Sequence, residues 1–587
     1  MHRIYAPPSV VRRKATPAPH AWYIDVALIL AVVAAIYGVI LAAARWTAAA
    51  TPNVPIDLSY RTLPLYAGLS TLRMAIAYLI ALVFSIVYAR VAIVSRIAER
   101  IMLPLLDILQ SIPILSFLPG VVLGMVALFP RSNIGLELAA IVLIFTSQAW
   151  NMAFSFHQSL LTIPKELREV ATIYQLSFWQ RFIRLELPFG VIPLIWNSMM
   201  SWAGGWFFLM AAEQFTLGNH NFRLPGLGSY LQTAANRGDV PALLLGLATL
   251  IAVIVLLDRF LWRPLVAWSD RFKFEQTEGS AAPTSAVLAA LRRSVLLAWM
   301  RQHVLRPVGN RLDRLVVRPR ATPGTRLTVV AKDTRRPLPL RRVLGVAIVL
   351  ALAAAVAGGA VAAARFLIQL DAADWTSIAV SAGASVLRTI AALAIGVAWT
   401  VPLGVAIGMN PRWAQRAQPL VQMVASIPAT ALFPALLLVL IGLPGGLNVA
   451  AVALMLLGTQ WYILFNVIAG AMAIPGDLRE TAVIYKLRGW RRWRYLILPA
   501  IFPYLVTGMI TATGGAWNAT IVAEYVTFDN RTFSTVGLGA LIAGSANSGN
   551  FALLLAATLT MAAIVVTINR LVWRRLYRLA EQRFRLD

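Results

Sequence analysis

PKELREVATIYQLSFWQRFIRLELP, residues 164–188, and PGDLRETAVIYKLRGWRRWRYLILP, residues 475–499, are one segment written twice. A shift of 311 carries Leu167-Arg168-Glu169 onto Leu478-Arg479-Glu480, Tyr174 onto Tyr485, Trp179 onto Trp490 and Leu187-Pro188 onto Leu498-Pro499, with 13 of the 25 positions identical. Each copy is charged and stands between long apolar runs. A repeat on this scale means two copies of one module, and a polar loop written twice into an apolar chain is presented twice to something in water.

The surroundings decide the class. The 587-residue chain is 59% hydrophobic and only 13% charged, with mean hydropathy +0.73, more apolar surface than a soluble core uses. The net charge of +28 would suggest nucleic acid in a soluble protein. Here the basic residues cluster beside apolar runs, the positive-inside pattern of membrane proteins, and no nucleic-acid partner is expected. The absence of Cys excludes disulfides, thiolate metal sites and Cys nucleophiles.

Runs of about 20 apolar residues give spans near 24–45, 68–94, 102–129, 135–156, 189–212 and 241–262, then 343–366, 378–409, 417–443, 447–471, 500–524 and 551–573. The expectation is an all-α polytopic membrane protein with about 12 transmembrane helices. Its domains are a first module at 1–262, a basic cytoplasmic connector at 263–342 and a second module at 343–587. Arg3, Arg12, Arg13 and Lys14 precede the first span, and Arg570, Arg574, Arg575, Arg578, Arg583 and Arg585 close the chain, so both termini and both repeated loops read as cytoplasmic. Ala42-Ala43-Ala44 imitates a signal-peptide cleavage site, but the run before it is long and reads as an uncleaved span.

An even number of spans per half makes the halves parallel repeats about an axis along the membrane normal. A shift of 315 places Arg73 on Arg388, Ser111-Ile112-Pro113 on Ser426-Ile427-Pro428 and Pro119 on Pro434; a shift of 311 places Trp150 on Trp461, Glu213 on Glu524 and Gly226-Leu227-Gly228 on Gly537-Leu538-Gly539. The four-residue change locates a shorter connection in the second half between Pro434 and Trp461. In the connector, Leu288, Leu291, Val295 and Trp299 recur at helical spacing beside Arg292, Arg293 and Arg301. That pattern reads as a helix on the membrane surface or as one helix in a solvated tether.

The repeated loop is legible in outline. Pro164 and Pro475 stand before helix starts, with Glu166 or Asp477 two residues on, since Pro lacks only a donor that is orphaned there and a carboxylate faces the positive end of the dipole. Ser177 and Gln180 form an S-x-x-Q capping box for a second short helix after Gln175-Leu176; Arg488-Gly489 replaces that cap in the second copy. Helix, turn, helix and Leu-Pro make a knob suited to a groove on a partner.

At these residues the chain resembles the permeases of binding-protein-dependent ABC importers. The cytoplasmic loop of that family carries Glu-Ala-Ala, a Gly four residues on, and a closing Leu-Pro. The matching residues are Glu169, Ala171 and Leu187-Pro188, then Glu480, Ala482 and Leu498-Pro499. Val170 or Thr481 stands in the second position, and Gln175 or Lys486 replaces the Gly. The Ala211-Ala212-Glu213 and Val522-Ala523-Glu524 ends, each followed by Gly-Leu-Gly, look like permeases for nitrate, taurine, alkanesulfonate and bicarbonate.

The resemblance implies a fused permease of two six-helix type I importer modules in the inner (cytoplasmic) membrane of a bacterial cell, transporting a small inorganic or organic anion. It further implies two ATPase subunits or a fused ATPase pair, and a periplasmic or lipid-anchored solute-binding protein. ATPase coupling falls on Glu169, Ala171, Tyr174, Gln175, Leu176, Glu480, Ala482, Tyr485, Lys486 and Leu487. A permease for a ferric-iron or other metal complex is the alternative cargo. The chain itself is expected to catalyse nothing and to hold no cofactor or metal. None of its five Lys residues follows a Gly, so no P-loop is present, and His2, His20, His157, His220 and His303 show no close metal spacing.

Candidate pathway residues are Arg73, Ser111, Pro113, Asn197, Ser198, Glu213, Arg388, Ser426, Pro428, Thr513, Asn518 and Glu524. Arg73 and Arg388, near the outer ends of their spans, either attract anions or pair with Glu213 and Glu524, because a bare charge in hydrocarbon costs a few kcal/mol. The Ser-Ile-Pro segments mark either half-helix ends beside a pore or packing kinks. A secondary transporter would carry intramembrane Asp, Glu or His relays, of which Asp107 is the one example noted. A channel would show a filter sequence, and none is found.

Overall fold

A computed structural model describes residues 22–48, 53–94, 96–217, 220–272, 285–305, 307, 354, 357–440, 442–529 and 531–583. Seven helices among the described residues are long and apolar enough to cross a membrane, and four shorter apolar helices accompany them, among them Ile114–Leu128 and Ala429–Leu440. The protein is a duplicated polytopic membrane protein, and among the described residues its regular structure is helical apart from two short antiparallel hairpins that follow the two repeated Glu residues. The expected first span of the second module is described from Ala357 onward, and residues 343–350 lie outside the described residues.

The chain forms two compact units: Met1–Ile40 with Ile163–Ile192 and Arg259–Thr322, and Leu41–Thr162 with Pro193–Asp258 and Pro323–Asp587. In the larger unit, Leu63–Val94 packs against Ile134–Leu161, and Ala372–Gly408 against Gly446–Met472, which in turn packs on Leu498–Ala523. The contacting stripes are small. Ala67, Ser70, Ala77, Ala81, Ser85, Ala89 and Ala92 are buried at steps of three, four or seven along the first helix, and Ser381, Ser385, Thr389, Ala392, Gly396, Thr400 and Gly404 repeat the pattern on its counterpart. Lipid gives no hydrophobic drive between helices, so close backbone approach and dispersion do the holding. A Cβ on Gly404 would come 2.8 Å from Val467, so only Gly permits that crossing. One core cluster joins Val122, Leu136 and Phe207 of the first half to Phe433, Met455 and Trp517 of the second.

The run expected as one span at 102–129 is broken into Arg96–Ser111, a tight turn at Ile114–Phe117 and Leu118–Leu128. Its counterpart is broken into Pro411–Ala425 and Ala429–Leu440. Both breaks fall at Ser-Ile-Pro, where Pro removes a backbone donor and disfavours helix at the residue before it. The second half has Ala429–Leu440 where the first has Ile114–Leu128, so the second copy is the shorter one over the interval where the sequence loses residues.

Among the described residues of the connector, in the smaller unit, the stretch from Leu288 to Trp299 falls in two helices, Ala286–Leu291 and Val295–Met300. The single helix through Leu288, Leu291, Val295 and Trp299 is corrected accordingly. The break is a competing helix start: the Asp25 carboxylate accepts from the Ser294 hydroxyl and from the backbone N–H groups of Val295 (3.3 Å) and Leu296 (3.2 Å). A carboxylate on these orphaned donors stabilises a new N-terminus.

Candidate functional site

Each knob is built the same way. Pro164 (ψ 144°) and Pro475 (ψ 145°) precede Lys165–Ile173 and Gly476–Ile484. Both helices end in a Schellman motif. The N–H of Leu176 donates to Ala171 O (3.0 Å) and that of Gln175 to Thr172 O (2.9 Å); Leu487 donates to Ala482 O (2.8 Å) and Lys486 to Val483 O (3.0 Å). The motif needs a left-handed residue, and Gln175 (φ 49°) and Lys486 (φ 51°) supply it, at the position where the resemblance places Gly.

Ala171 and Ala482 are buried; Ala482 packs with Ile474, Leu496 and Ala500, and Leu487 lies against that cluster. Glu169 and Glu480 point outward, as do Tyr174 (74% exposed) and Tyr485 (75%), beside Ile173 and Ile484. The Ser177–Gln180 capping box forms, at 2.9 and 3.3 Å. In the second copy Arg488 makes no side-chain cap and Gly489 takes φ 51°. A π-turn, Phe182–Glu186 or Trp493–Ile497, then leads into Leu187–Glu213 or Leu498–Ala523. The wider turn accommodates the Pro of Leu-Pro, which cannot donate to the carbonyl four residues back.

The repeated Arg and Glu residues are brought together. Arg73, 1% exposed, holds Glu137 with Nε (2.5 Å) and Nη2 (2.8 Å), and holds Glu213 and Pro225 O with Nη1 (2.6 and 2.9 Å). Ser70 Oγ (2.6 Å) and Gly228 N (2.7 Å) donate to the Glu213 carboxylate. In the second copy Arg388 Nη1 meets Glu524 (2.8 Å), Nη2 meets Asn448 (2.7 Å) and Thr535 (2.9 Å), and Ser385 Oγ and Gly539 N donate to Glu524. A Cβ on Gly226 or Gly537 would fall on the Glu213 or Glu524 carboxylate, so these glycines make room for the acid. The hairpin Gln214–Leu217 with His220–Arg223 returns the chain, closed by Leu224 N donating to Glu213 O (2.8 Å). Glu137 was not singled out from the sequence, although it is the acid in the first turn of an apolar helix, a signal that marks such a partner.

The remaining candidates divide. Ser426, Pro428 and Asn518 line a cavity of about 230 Å³ within the larger unit, formed by residues 196–208 of the first half and 422–518 of the second. Asn518 accepts from the backbone N–H of Ile114 (2.7 Å), the residue after Pro113, which is itself buried. Asn197 is bonded to Ser155 (2.7 Å) and Pro193 O (3.0 Å), Ser198 to the Met152 sulfur (3.2 Å), and Thr513 to Met509 O (2.7 Å). These three, with Arg73, Arg388, Glu213 and Glu524, do not line the cavity. The side chain of Ser111 lies outside the described residues. The aromatic lining of the cavity was missed, because rings inside apolar helices carry no signal that separates them from lipid-facing or core rings.

Two knobs, two Arg–Glu nodes and a cavity in a duplicated helical scaffold define a membrane permease built from a repeated module. The model of the family "Binding-protein-dependent transport system inner membrane component" matches residues 81–262 and again 400–586, and the chain belongs to that family, whose members are the non-catalytic membrane components of such transporters. It is 28% identical over 172 residues to the nitrate import permease protein NrtB of Leptolyngbya laminosa, covering 29% of this chain and 58% of that protein. The bicarbonate transport system permease protein CmpB of Synechococcus elongatus is 26% identical over 189 residues, 32% of this chain and 65% of that protein. The riboflavin transport system permease protein RibX of Chloroflexus aurantiacus is 30% identical over 158 residues, 27% and 55%. The chain thus spans 58% of the length of the nitrate permease it matches, and each of these matches covers about one module's worth of it.

Proposed function

We propose that this chain is the whole transmembrane pathway of an ABC importer, with residues 1–262 and 343–587 as two permease modules, 263–342 as a cytoplasmic connector, and both knobs and both termini on the cytoplasmic side of a bacterial inner membrane. The observation that carries this reading is the twin construction of the knobs. Each buries Ala171 or Ala482 to fix its turn and exposes Glu169 or Glu480 beside Tyr174 or Tyr485. An exposed aromatic beside a carboxylate is the composition of an anchor and its orienting charge at an interface. One ATPase subunit, or one half of a fused pair, docks on each knob, and a periplasmic or lipid-anchored binding protein delivers solute on the far side.

The cargo on this reading is a small anion, inorganic or organic, in keeping with the nitrate and bicarbonate permeases among its relatives. The riboflavin permease among the relatives keeps larger organic solutes within reach of the scaffold. Arg73 and Arg388 already have carboxylate partners, so we assign them to holding the helices and place the solute path at Ser426, Pro428 and Asn518. Glu169→Lys combined with Glu480→Lys tests the docking. The double variant should insert normally but lose transport and ATPase co-purification; retention of both would refute the assignment.

A further inference from the structure

The cavity is aromatic and carries no charge. Six rings line it, Trp196, Phe207, Phe208, Trp461, Tyr462 and Phe465, and none of its lining residues is Arg, Lys, His, Asp or Glu. A bare inorganic anion entering it would shed part of its water without meeting a cation among the lining residues, and an uncompensated charge removed from water is costly. The ring faces carry the negative end of the aromatic quadrupole and would repel it further. A planar ring has the opposite balance: it buries apolar area and finds stacked or edge-to-face partners, with the thioethers of Met199 and Met200 as adaptable neighbours. The cavity of about 230 Å³ has room for a small fused-ring compound.

The polar groups are unequal. Asn518 is occupied, accepting from Ile114 N (2.7 Å) and donating to Gly514 O (3.0 Å). Ser426 donates to Gln422 O (2.8 Å). The Gln422 amide Nε2 faces the Met199 sulfur at 2.7 Å, and a thioether is a weak acceptor that a solute oxygen would replace with gain. We propose that this cavity binds a planar aromatic or heteroaromatic organic solute by stacking, with Gln422 donating to a carbonyl or acid oxygen at the ring's edge, and discriminates against bare inorganic anions. The inference rests on the permease reading but departs from its small-anion cargo, selecting ring-bearing organic solutes, charged or neutral, over inorganic anions.

Equilibrium dialysis of the full chain in lipid nanodiscs against 2-naphthamide and 2-naphthoate, one ring system with and without charge, tests it. Both should bind saturably at one site, the amide at least as tightly as the acid, and a large excess of nitrate or bicarbonate should displace neither. Trp461→Ala should weaken binding about tenfold, and Trp461→Phe should restore most of it. Gly458→Leu should abolish binding while the protein stays monodisperse, because a Cβ there meets only Ala429 at 4.0 Å and the side chain grows into free volume. Displacement by nitrate or bicarbonate, absence of saturable binding, or wild-type binding in folded Gly458→Leu would overturn the proposal. ATPase co-purification, measured on the same preparation, reports separately on the permease reading.

Discussion

Glu137 and Asn448 occupy the same place in the two modules and give the repeated arginines different company: Arg73 is clamped by two carboxylates, whereas Arg388 shares one carboxylate with an amide and a hydroxyl. The first node sets two acids against one arginine and is sealed, with Arg73 1% exposed, while the Arg388 side chain is 12% exposed. Duplication kept the scaffold and let the electrostatics of the two halves diverge.

That difference ranks a set of substitutions. Removing one partner of a buried ion pair costs about 3–5 kcal/mol through the charge left behind. Arg73→Ala strands two buried carboxylates and should be the most damaging. Arg388→Ala strands one and should follow. Glu137→Asn, which copies the second module into the first, leaves Arg73 paired to Glu213 and should cost about 1–3 kcal/mol. Denaturant unfolding in detergent micelles checks the order, and a Glu137→Asn loss exceeding that of Arg73→Ala would contradict it.

Gly226→Ala and Gly537→Ala should each destabilise by about 1–3 kcal/mol, because the added methyl falls on the Glu213 or Glu524 carboxylate. Gly68→Ala and Gly514→Ala meet nothing within 4 Å and serve as controls. Equal melting shifts in the two pairs would count against the packing assigned to the nodes.

Gln175→Gly and Lys486→Gly relieve a left-handed residue that costs roughly 1 kcal/mol, offset in part by the freedom Gly gains in the unfolded chain. The expected outcome is a neutral to slightly stabilising change. Gln175→Ile and Lys486→Ile should destabilise the turn and raise hydrogen exchange at Leu176 and Leu487, whose N–H groups close the Schellman bonds. Unchanged exchange in the Ile variants would refute the turn's role.

The long helices were legible because a run of about 20 apolar residues has few other uses; Ser-Ile-Pro marked the right places through proline's missing donor, but could not separate a full break from a kink. The capping box at Ser177 was legible as a local motif, and the pairing of Arg73 with Glu213 was one of two readings left open, because a charge in a bilayer needs either a partner or water. The left-handed turn was hidden because Gln175 and Lys486 stand where only Gly would have advertised it. The hairpins after Glu213 and Glu524 were hidden because four-residue strands leave no period to read. The cavity was the least legible element, since it is assembled from residues more than 200 positions apart in the chain.

The central claim is that one chain supplies both modules and both docking knobs. Native mass spectrometry of the complex extracted from membranes in mild detergent tests it directly. The account predicts one copy of this chain with two ATPase subunits or one fused ATPase pair, and loss of the ATPase mass in the Glu169→Lys, Glu480→Lys double variant. Two copies of this chain per complex, or an ATPase still bound to the double variant, would contradict it.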